Sequence, residues 1–540
     1  MLGKKSDNQE PWLSDDALRE IWQGSKFESL LRSIVTEPRV DFIRLNLAKV
    51  ITVLIIVRWD RWSTFDDIFV RCTHTRHEYS RLDGDLPFRD CSFLGSFDDN
   101  FSADQYIVLP IHIIGGQNQY FPDMHWRLPF IHTQEKVRQG GIGQVTKCVV
   151  ARGHFRKDEE PIEHHSEEIV IGRKRIDIRI HHDDIRNMKL LRGSHLKHDH
   201  IMHHISTLIH GDDFNVFSPW TDIDLGVFLH HKQLGITQSR MGGFLLEEAS
   251  HLADALDFLH TRISIPGRRH VPCVHMDLKP ENIVVQPRAQ GSSGMMWLIT
   301  DFEISVVGTM IANEDYPQAL GSVRDLAACL TGKARCREPG PFQAPEIRGI
   351  KGQKPSFGSD VWSLGCVLSL VLCTAAEGSE GVAQLDKERC RDNASGFFYR
   401  RKQPPPNHNH ASAWEMNPFV IPYLEGLVIR HDKRHQTWLR PFVDLIKDTM
   451  EIDIHQRPQA AECSKHLRQI LDLSKQAMEP HELCGESPEI QTVPYLRSFP
   501  QALTMYDPAQ LSAKSDPLCF DPQRKFFIRS RSVATLLQAN

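Results

Sequence analysis

The 540-residue sequence has 12 cysteines but no C-x-x-C pair, no H-E-x-x-H and no cysteine set at zinc-ligand spacing. Scattered thiols in a chain of this length do not make a disulfide framework, and they predict a reducing compartment. Long apolar runs are also missing. The strongest, Val50 to Val57, is far short of the ~20 residues a membrane-spanning helix needs, and Met1 to Asp16 lacks the apolar core of a signal peptide. Neither charge dominates: 64 basic and 69 acidic residues leave a formal net charge of -5. That balance argues against nucleic acid or a membrane as the main partner. An intracellular protein is expected, cytoplasmic, with the nucleus left open.

Histidine is plentiful at 29 copies, including the pairs His164-His165, His181-His182 and His203-His204. Neighbouring side chains on a helix or strand point apart, so without ligand spacing these residues are expected on the solvated surface. A hydrophobic share of 40% is enough for a large core, and the length suggests roughly three units of about 150 residues.

Ser14 followed by two aspartates reads as a helix N-cap; Phe27, Leu30, Leu31 and Ile34 recur at helical spacing, and Val40 to Val57 is apolar on most faces. Residues 1–130 are therefore expected to form a helical N-terminal region. An apolar approach then meets the glycine cluster of Val137-Arg138-Gln139-Gly140-Gly141-Ile142-Gly143-Gln144-Val145, after which Cys148-Val149-Val150 resumes a strand. Ile169-Val170-Ile171-Gly172-Arg173-Lys174 is a second strand, with Arg173 and Arg175 leaving its register open by one residue. Asp183 to Leu191 reads as a helix, Phe214 to Trp220 as a strand entering a linker, and Asp224-Leu225 as the start of a helix. Leu245, Ala249, Leu252, Leu256 and Leu259 mark a core-facing helix.

The chain is organised around Val274-His275-Met276-Asp277-Leu278-Lys279-Pro280-Glu281-Asn282-Ile283-Val284-Val285, which places a lysine and an amide two and five residues after an aspartate. Trp297-Leu298-Ile299-Thr300-Asp301-Phe302-Glu303 follows as a strand ending in an acid, and Ala344-Pro345-Glu346, Ser359-Asp360-Val361-Trp362 and Arg457-Pro458 come later. Pro404-Pro405-Pro406 within 392–440 marks a loop-like insertion, and past Leu471 the helical rhythm fades.

These stretches, in this order, resemble the eukaryotic protein kinases of serine/threonine type, with a softer similarity to kinase-domain proteins of filamentous fungi. The pattern H-R-D-x-K-x-x-N appears with Met276 in place of arginine, D-F-G with Glu303 in place of glycine, and the glycine loop with Arg138 in place of its first glycine. The resemblance covers about 130–472. It implies an α+β, two-lobed kinase fold, with a small antiparallel β lobe (131–220) and a large, mainly helical lobe (221–472). The N-terminal helical region would precede this fold and a mostly disordered tail (473–540) would follow it. It implies ATP and Mg2+ as cofactors and a protein hydroxyl as acceptor. Asp277 would orient that hydroxyl, Lys279 would face the γ-phosphate, and Asn282 and Asp301 would ligate magnesium. Val137, Gly140, Gly141, Gly143 and Val145 would cover the nucleotide, Lys174 would hold its phosphates, and Asp184 would stand as that lysine's acidic partner, one methylene short.

Two functions fit this reading. The metal, phosphate and hydroxyl groups are all present, which favours an active serine/threonine kinase. Arg138, Asp184 and Glu303 suggest the alternative, a catalytically silent binding module. Methionine offers a phosphate neither charge nor a donor. Activity is therefore expected not to need phosphorylation of Ser305, Thr309, Ser322 or Thr331, with control left to the N-terminal region, the tail or a regulatory partner.

Overall fold

The computed structural model describes residues 11–23, 28–29, 31–32, 40–70, 81–133, 138–139, 144–156, 167–179, 198–231, 238–264, 271–288, 294–302, 304–307, 340–348, 356–391, 396–402 and 414–477. Val137, Gly140, Gly141, Gly143, Asp184 and Glu303 lie outside them, as do the helix expected at 183–191 and the chain beyond 477.

The N-terminal region builds its own core. Ser14 caps α1 (Asp15–Trp22), its hydroxyl accepting from the Ala17 N–H at 3.1 Å, with Asp15 and Asp16 in the first turn. The apolar stretch after residue 40 is two helices rather than one, α2 (Val40–Asn46) and α3 (Ala48–Ile56), interrupted at Leu47. Asp83 reaches back to accept from the Lys49 and Val50 N–H groups at 3.0 and 2.9 Å, capping α3 from outside. Val50, Ile51, Val53 and Leu54 pack with Trp59, Phe65, Phe69 and Phe101, the last on α4 (Asp98–Asp104).

The stretch 1–130 is not helical to its end. Ile113–Ile114 (β1) pairs with Phe155–Arg156, and Asn118–Phe121 (β2) joins the main sheet of the small lobe. That sheet has seven strands. Its path runs from β2 through Ser206–His210, Asp213–Pro219, Ile169–Asp177 and Gln144–Val150 to Phe130–Thr133, with Arg138–Gln139 also paired to Gln144–Val150. Most of these pairings are antiparallel, as expected for this lobe, but β2 runs parallel to Ser206–His210.

The large lobe is helical. Asp224 caps α5 (Leu225–His230), its carboxylate accepting from the Val227 N–H at 2.8 Å. In α6 (Gln238–Asp257) the residues Leu245, Ala249, Leu252 and Leu256 are fully buried at helical spacing. α7 (Phe357–Arg389) is long and apolar enough to span a membrane, but 89% of its most apolar window is buried inside the protein. It packs against α6, α8 (Val420–Arg430) and α9 (Lys433–Thr449), and α10 (Ala460–Ala477) packs in turn on α6 and α9.

Two of these helices meet at Gly365, where a Cβ would lie 2.3 Å from Thr449 Oγ1 and 2.8 Å from Met450 Cγ. Thr449 is fully buried and β-branched, so it has little room to give. Gly365→Ala is expected to destabilise the protein by about 1–3 kcal/mol, read as a lower unfolding midpoint.

The expected insertion at 392–440 is only partly a loop. Tyr399–Arg401 and Trp414–Met416 pair as a hairpin, and helical structure resumes at Val420. The proline run lies in 403–413, outside the described residues. Its composition masked the helical spacing of Val420, Leu424, Leu427 and Val428, all buried.

Candidate active site

The loop after Cys273–Val274 is held by one buried carboxylate. Asp360, fully buried on α7, accepts from the His275 N–H (2.7 Å) and the Met276 N–H (2.8 Å), and binds the His260 ring nitrogen at 3.0 Å. Met276 has φ 69, a left-handed conformation uncommon for a residue with a Cβ. Besides Asp360, the Gln343 side-chain amide holds Met276 by donating to its carbonyl at 3.1 Å. Two fixed ends impose that conformation and turn Asp277 into the cleft.

Asp277, Lys279 and Asn282 converge. Lys279 Nζ donates to Asp277 Oδ2 at 2.8 Å; Asn282 Nδ2 donates to the Asp277 carbonyl at 2.8 Å and to Oδ2 at 3.0 Å. With the amide nitrogen turned inward, the Asn282 amide oxygen is the atom left to bind a cation. The Asn282 carbonyl accepts from the Thr300 N–H at 2.9 Å, which ties this loop to the strand Met295–Ile299 and so to Asp301.

Asp301 meets Lys174 across the two lobes, Nζ to Oδ1 at 2.7 Å with both side chains largely covered. Burial alone would raise the Asp301 pKa, but the Lys174 ammonium and its hydrogen bond, helped by His275 and Lys279, hold it below the usual carboxylate range. Its stabilising contribution is therefore present above the ordinary aspartate range and lost as pH falls through the depressed value. Asp301 also has positive φ, at 66. His275 joins the two loops: one ring nitrogen contacts the Thr300 carbonyl at 2.9 Å, and the ring meets Phe302 edge-on at 5.0 Å.

Lys174 thus points into the cleft, while Arg173 turns to the opposite side of the strand and donates to Asn215 at 2.7 Å. Val145 is the cross-strand partner of Lys174, so it shares the cleft-facing side. Arg138 pairs in turn with Val145 through the backbone. Glu346 and Arg457 form a two-pronged ion pair at 2.7 and 2.9 Å, and the Arg457 side chain is fully buried.

Comparison with known proteins agrees with this geometry. Residues 131–467 match the protein kinase domain. The chain belongs to the protein kinase family. A segment of 143 residues is 30% identical to serine/threonine-protein kinase PDK1 of Cryptococcus neoformans var. grubii, covering 26% of this chain and 9% of that protein. Another of 136 residues is 34% identical to CBL-interacting protein kinase 20 of Oryza sativa subsp. japonica, covering 24% of this chain and 23% of that protein. The chain thus spans less than a quarter of either relative's length.

In this kinase fold the oxygen donors suit the implied metal. The Asn282 amide oxygen and the Asp301 carboxylate are hard ligands of the kind magnesium takes, and Lys174 and Lys279 supply positive charge for phosphate. Sequence reasoning missed that His260 (through Asp360), Gln343 and Ser305 hold the 275–282 loop from outside it. Their bonding partners are distant in the chain, and no spacing motif marks them. It also placed histidine on the surface, whereas His154, His200, His210, His260 and His275 are buried.

Proposed function

We propose that this protein is a magnesium-dependent serine/threonine kinase that transfers the γ-phosphate of ATP to a protein hydroxyl. The convergence of Asp277, Lys279, Asn282, Asp301 and Lys174 on one cleft carries this reading. Asp277 would orient the acceptor hydroxyl and take its proton. Lys279, already bonded to that carboxylate, would meet the transferred phosphoryl group, and Lys174 would hold the phosphates behind it. Asn282 and Asp301 would hold magnesium, which when bound neutralises phosphate charge. The lysine two residues after Asp277 supports a serine/threonine acceptor, as do the relatives' names. The buried thiols favour a reducing, cytoplasmic setting, and the N-terminal helical region would be an appended regulatory unit.

The test is labelled-ATP transfer to the protein itself and to a generic basic protein, alongside magnesium-dependent nucleotide binding. Transfer supports the proposal. Nucleotide binding without transfer would leave a binding module instead.

Regulation follows from Met276, which is 6% exposed and packs with Val274, Val306 and Phe357. An apolar contact thus stands where a phosphate-binding arginine would be needed. Ser305 is buried and donates to the His275 carbonyl at 3.2 Å, which removes it from the candidate phosphorylation sites; Thr309, Ser322 and Thr331 lie outside the described residues. Phosphatase treatment is expected to leave transfer activity unchanged. A large loss, restored by rephosphorylating one of those threonines or Ser322, would refute this.

A further inference from the structure

The strand that leads into Asp301, Met295–Ile299, lies at the edge of its three-stranded sheet, paired with Ile283–Pro287 on one side only. Alternate residues therefore turn their backbone groups away from the sheet, and a buried edge needs partners for them. Trp297 and Ile299, both fully buried, stand four and two residues before Asp301. All four of their backbone groups are satisfied. The Trp297 N–H donates to Glu248 Oε2 at 2.8 Å, and its carbonyl accepts from the His200 ring at 2.9 Å. A carbonyl can only accept, so His200 Nδ1 carries the proton. The Ile299 N–H donates to the His200 carbonyl at 2.9 Å, and the Ile299 carbonyl accepts from the Met202 N–H at 2.8 Å.

The two side chains in this clamp are themselves held. Glu248 is fully buried on α6, and its other oxygen is bonded to Arg288, which follows directly on Ile283–Pro287. A carboxylate so deep in the protein requires such partners. The His251 ring lies 4.5 Å from that of His200 and tilted by 33°, packing against it. His198 fastens the same segment to α6: its Nδ1 accepts from the His200 N–H at 3.1 Å, which leaves Nε2 to donate to Asp254 at 3.0 Å. The chain then leads into Ser206–His210 of the small lobe, whose neighbour Asp213–Pro219 pairs with the strand of Lys174. One anchored segment thus joins the strand of Asp301 to the sheet of Lys174.

We propose that Glu248 and His200 are positioning residues for Asp301, and that through its strand they set how tightly the cleft holds magnesium with its nucleotide. The inference rests on the kinase reading above, in which Asp301 supplies the carboxylate for the metal. Asp301 has φ 66, a backbone conformation that only well-fixed surroundings sustain. A strand loosened at Trp297 shifts that carboxylate against both Asn282 and Lys174. Magnesium demands near-ideal octahedral geometry, so a small displacement costs affinity for the ion before it costs affinity for the nucleotide. Sequence spacing could not show this role, because Glu248 and His200 meet Trp297 only through folding.

The test uses the full chain and reads thermal shift with ATP alone and with ATP while magnesium is titrated. His200→Ala is expected to raise the magnesium concentration for half-maximal effect roughly tenfold, the low end of the about 10–100-fold cost of losing a group that supports a metal ligand. The shift produced by ATP alone should stay as in the wild type. His200→Asn is the rescue: its amide nitrogen takes the place of Nδ1 and can donate to the Trp297 carbonyl, so its magnesium requirement should return to the wild-type value. Glu248→Gln should move the requirement in the same direction as His200→Ala, because its amide nitrogen has to face either the Trp297 N–H or Arg288, both donors. A role in folding alone would lower the unfolding midpoint and leave the magnesium requirement where it was. That result for His200→Ala, or an equal loss in His200→Asn, would overturn the proposal while the wild type still responds to magnesium. A wild type whose nucleotide binding ignores magnesium would overturn the kinase reading, and the proposal with it.

Discussion

Asp277→Asn is expected to lower phosphoryl transfer by roughly 100- to 10,000-fold while leaving magnesium-dependent nucleotide binding nearly unchanged. The asparagine keeps the shape of the loop but loses the basic oxygen, and its amide N–H groups then compete with the donors from Lys279 and Asn282 that the carboxylate accepts at 2.8 and 3.0 Å. Asp301→Asn should abolish transfer by the other route. It removes the negative charge that Lys174 pairs with at 2.7 Å and the carboxylate proposed to hold magnesium, so nucleotide affinity should fall once magnesium is present. Thermal shift with and without nucleotide and magnesium, beside labelled transfer, separates the two variants. If both lost binding equally, or Asp277→Asn still transferred phosphate, the assigned roles would be wrong.

The parts of this site that could be read from the sequence are those whose chemistry is local. Asp277, Lys279 and Asn282 sit within six residues of one another, and a tight loop leaves them no arrangement but a shared cleft. The Ser14 cap was legible for the same reason, since a cap bonds to an N–H two or three residues on, and the helix start at Asp224-Leu225 proves to be capped in the same way by Asp224. Lys174 needed the fold: its register was open until strand pairing placed Val145 opposite it and Asp301 in front. The parallel strand Asn118–Phe121 gave no signal, because it is short and half exposed, and its place at the edge of the sheet depends on Ser206–His210, far along the chain. The buried histidines were misread for a related reason. His260 and His275 are buried because distant acceptors, Asp360 and the Thr300 carbonyl, satisfy their rings, and composition says nothing about such partners.

Asp360→Ala is expected to have the largest effect on stability, roughly 3–5 kcal/mol, the range for removing one partner of a buried charged network. The carboxylate is fully buried and serves three donors, the His275 and Met276 N–H groups and the His260 ring. Its loss leaves two backbone N–H groups without an acceptor in a place water cannot easily reach, each costing about 1–3 kcal/mol. The consequence extends to function, because these bonds help hold Met276 at φ 69, and with only the Gln343 bond to its carbonyl left the methionine can return to an ordinary backbone conformation. Asp277 would then lose its orientation, although Lys174 and Asp301 remain in place. A lower unfolding midpoint should therefore accompany lost transfer with nucleotide binding retained in the folded fraction. His260→Ala provides the comparison: it removes one of the three donors and leaves both backbone bonds intact, so it should destabilise the protein less and preserve transfer. If it cost as much transfer as Asp360→Ala, the backbone bonds would not be what orients the loop.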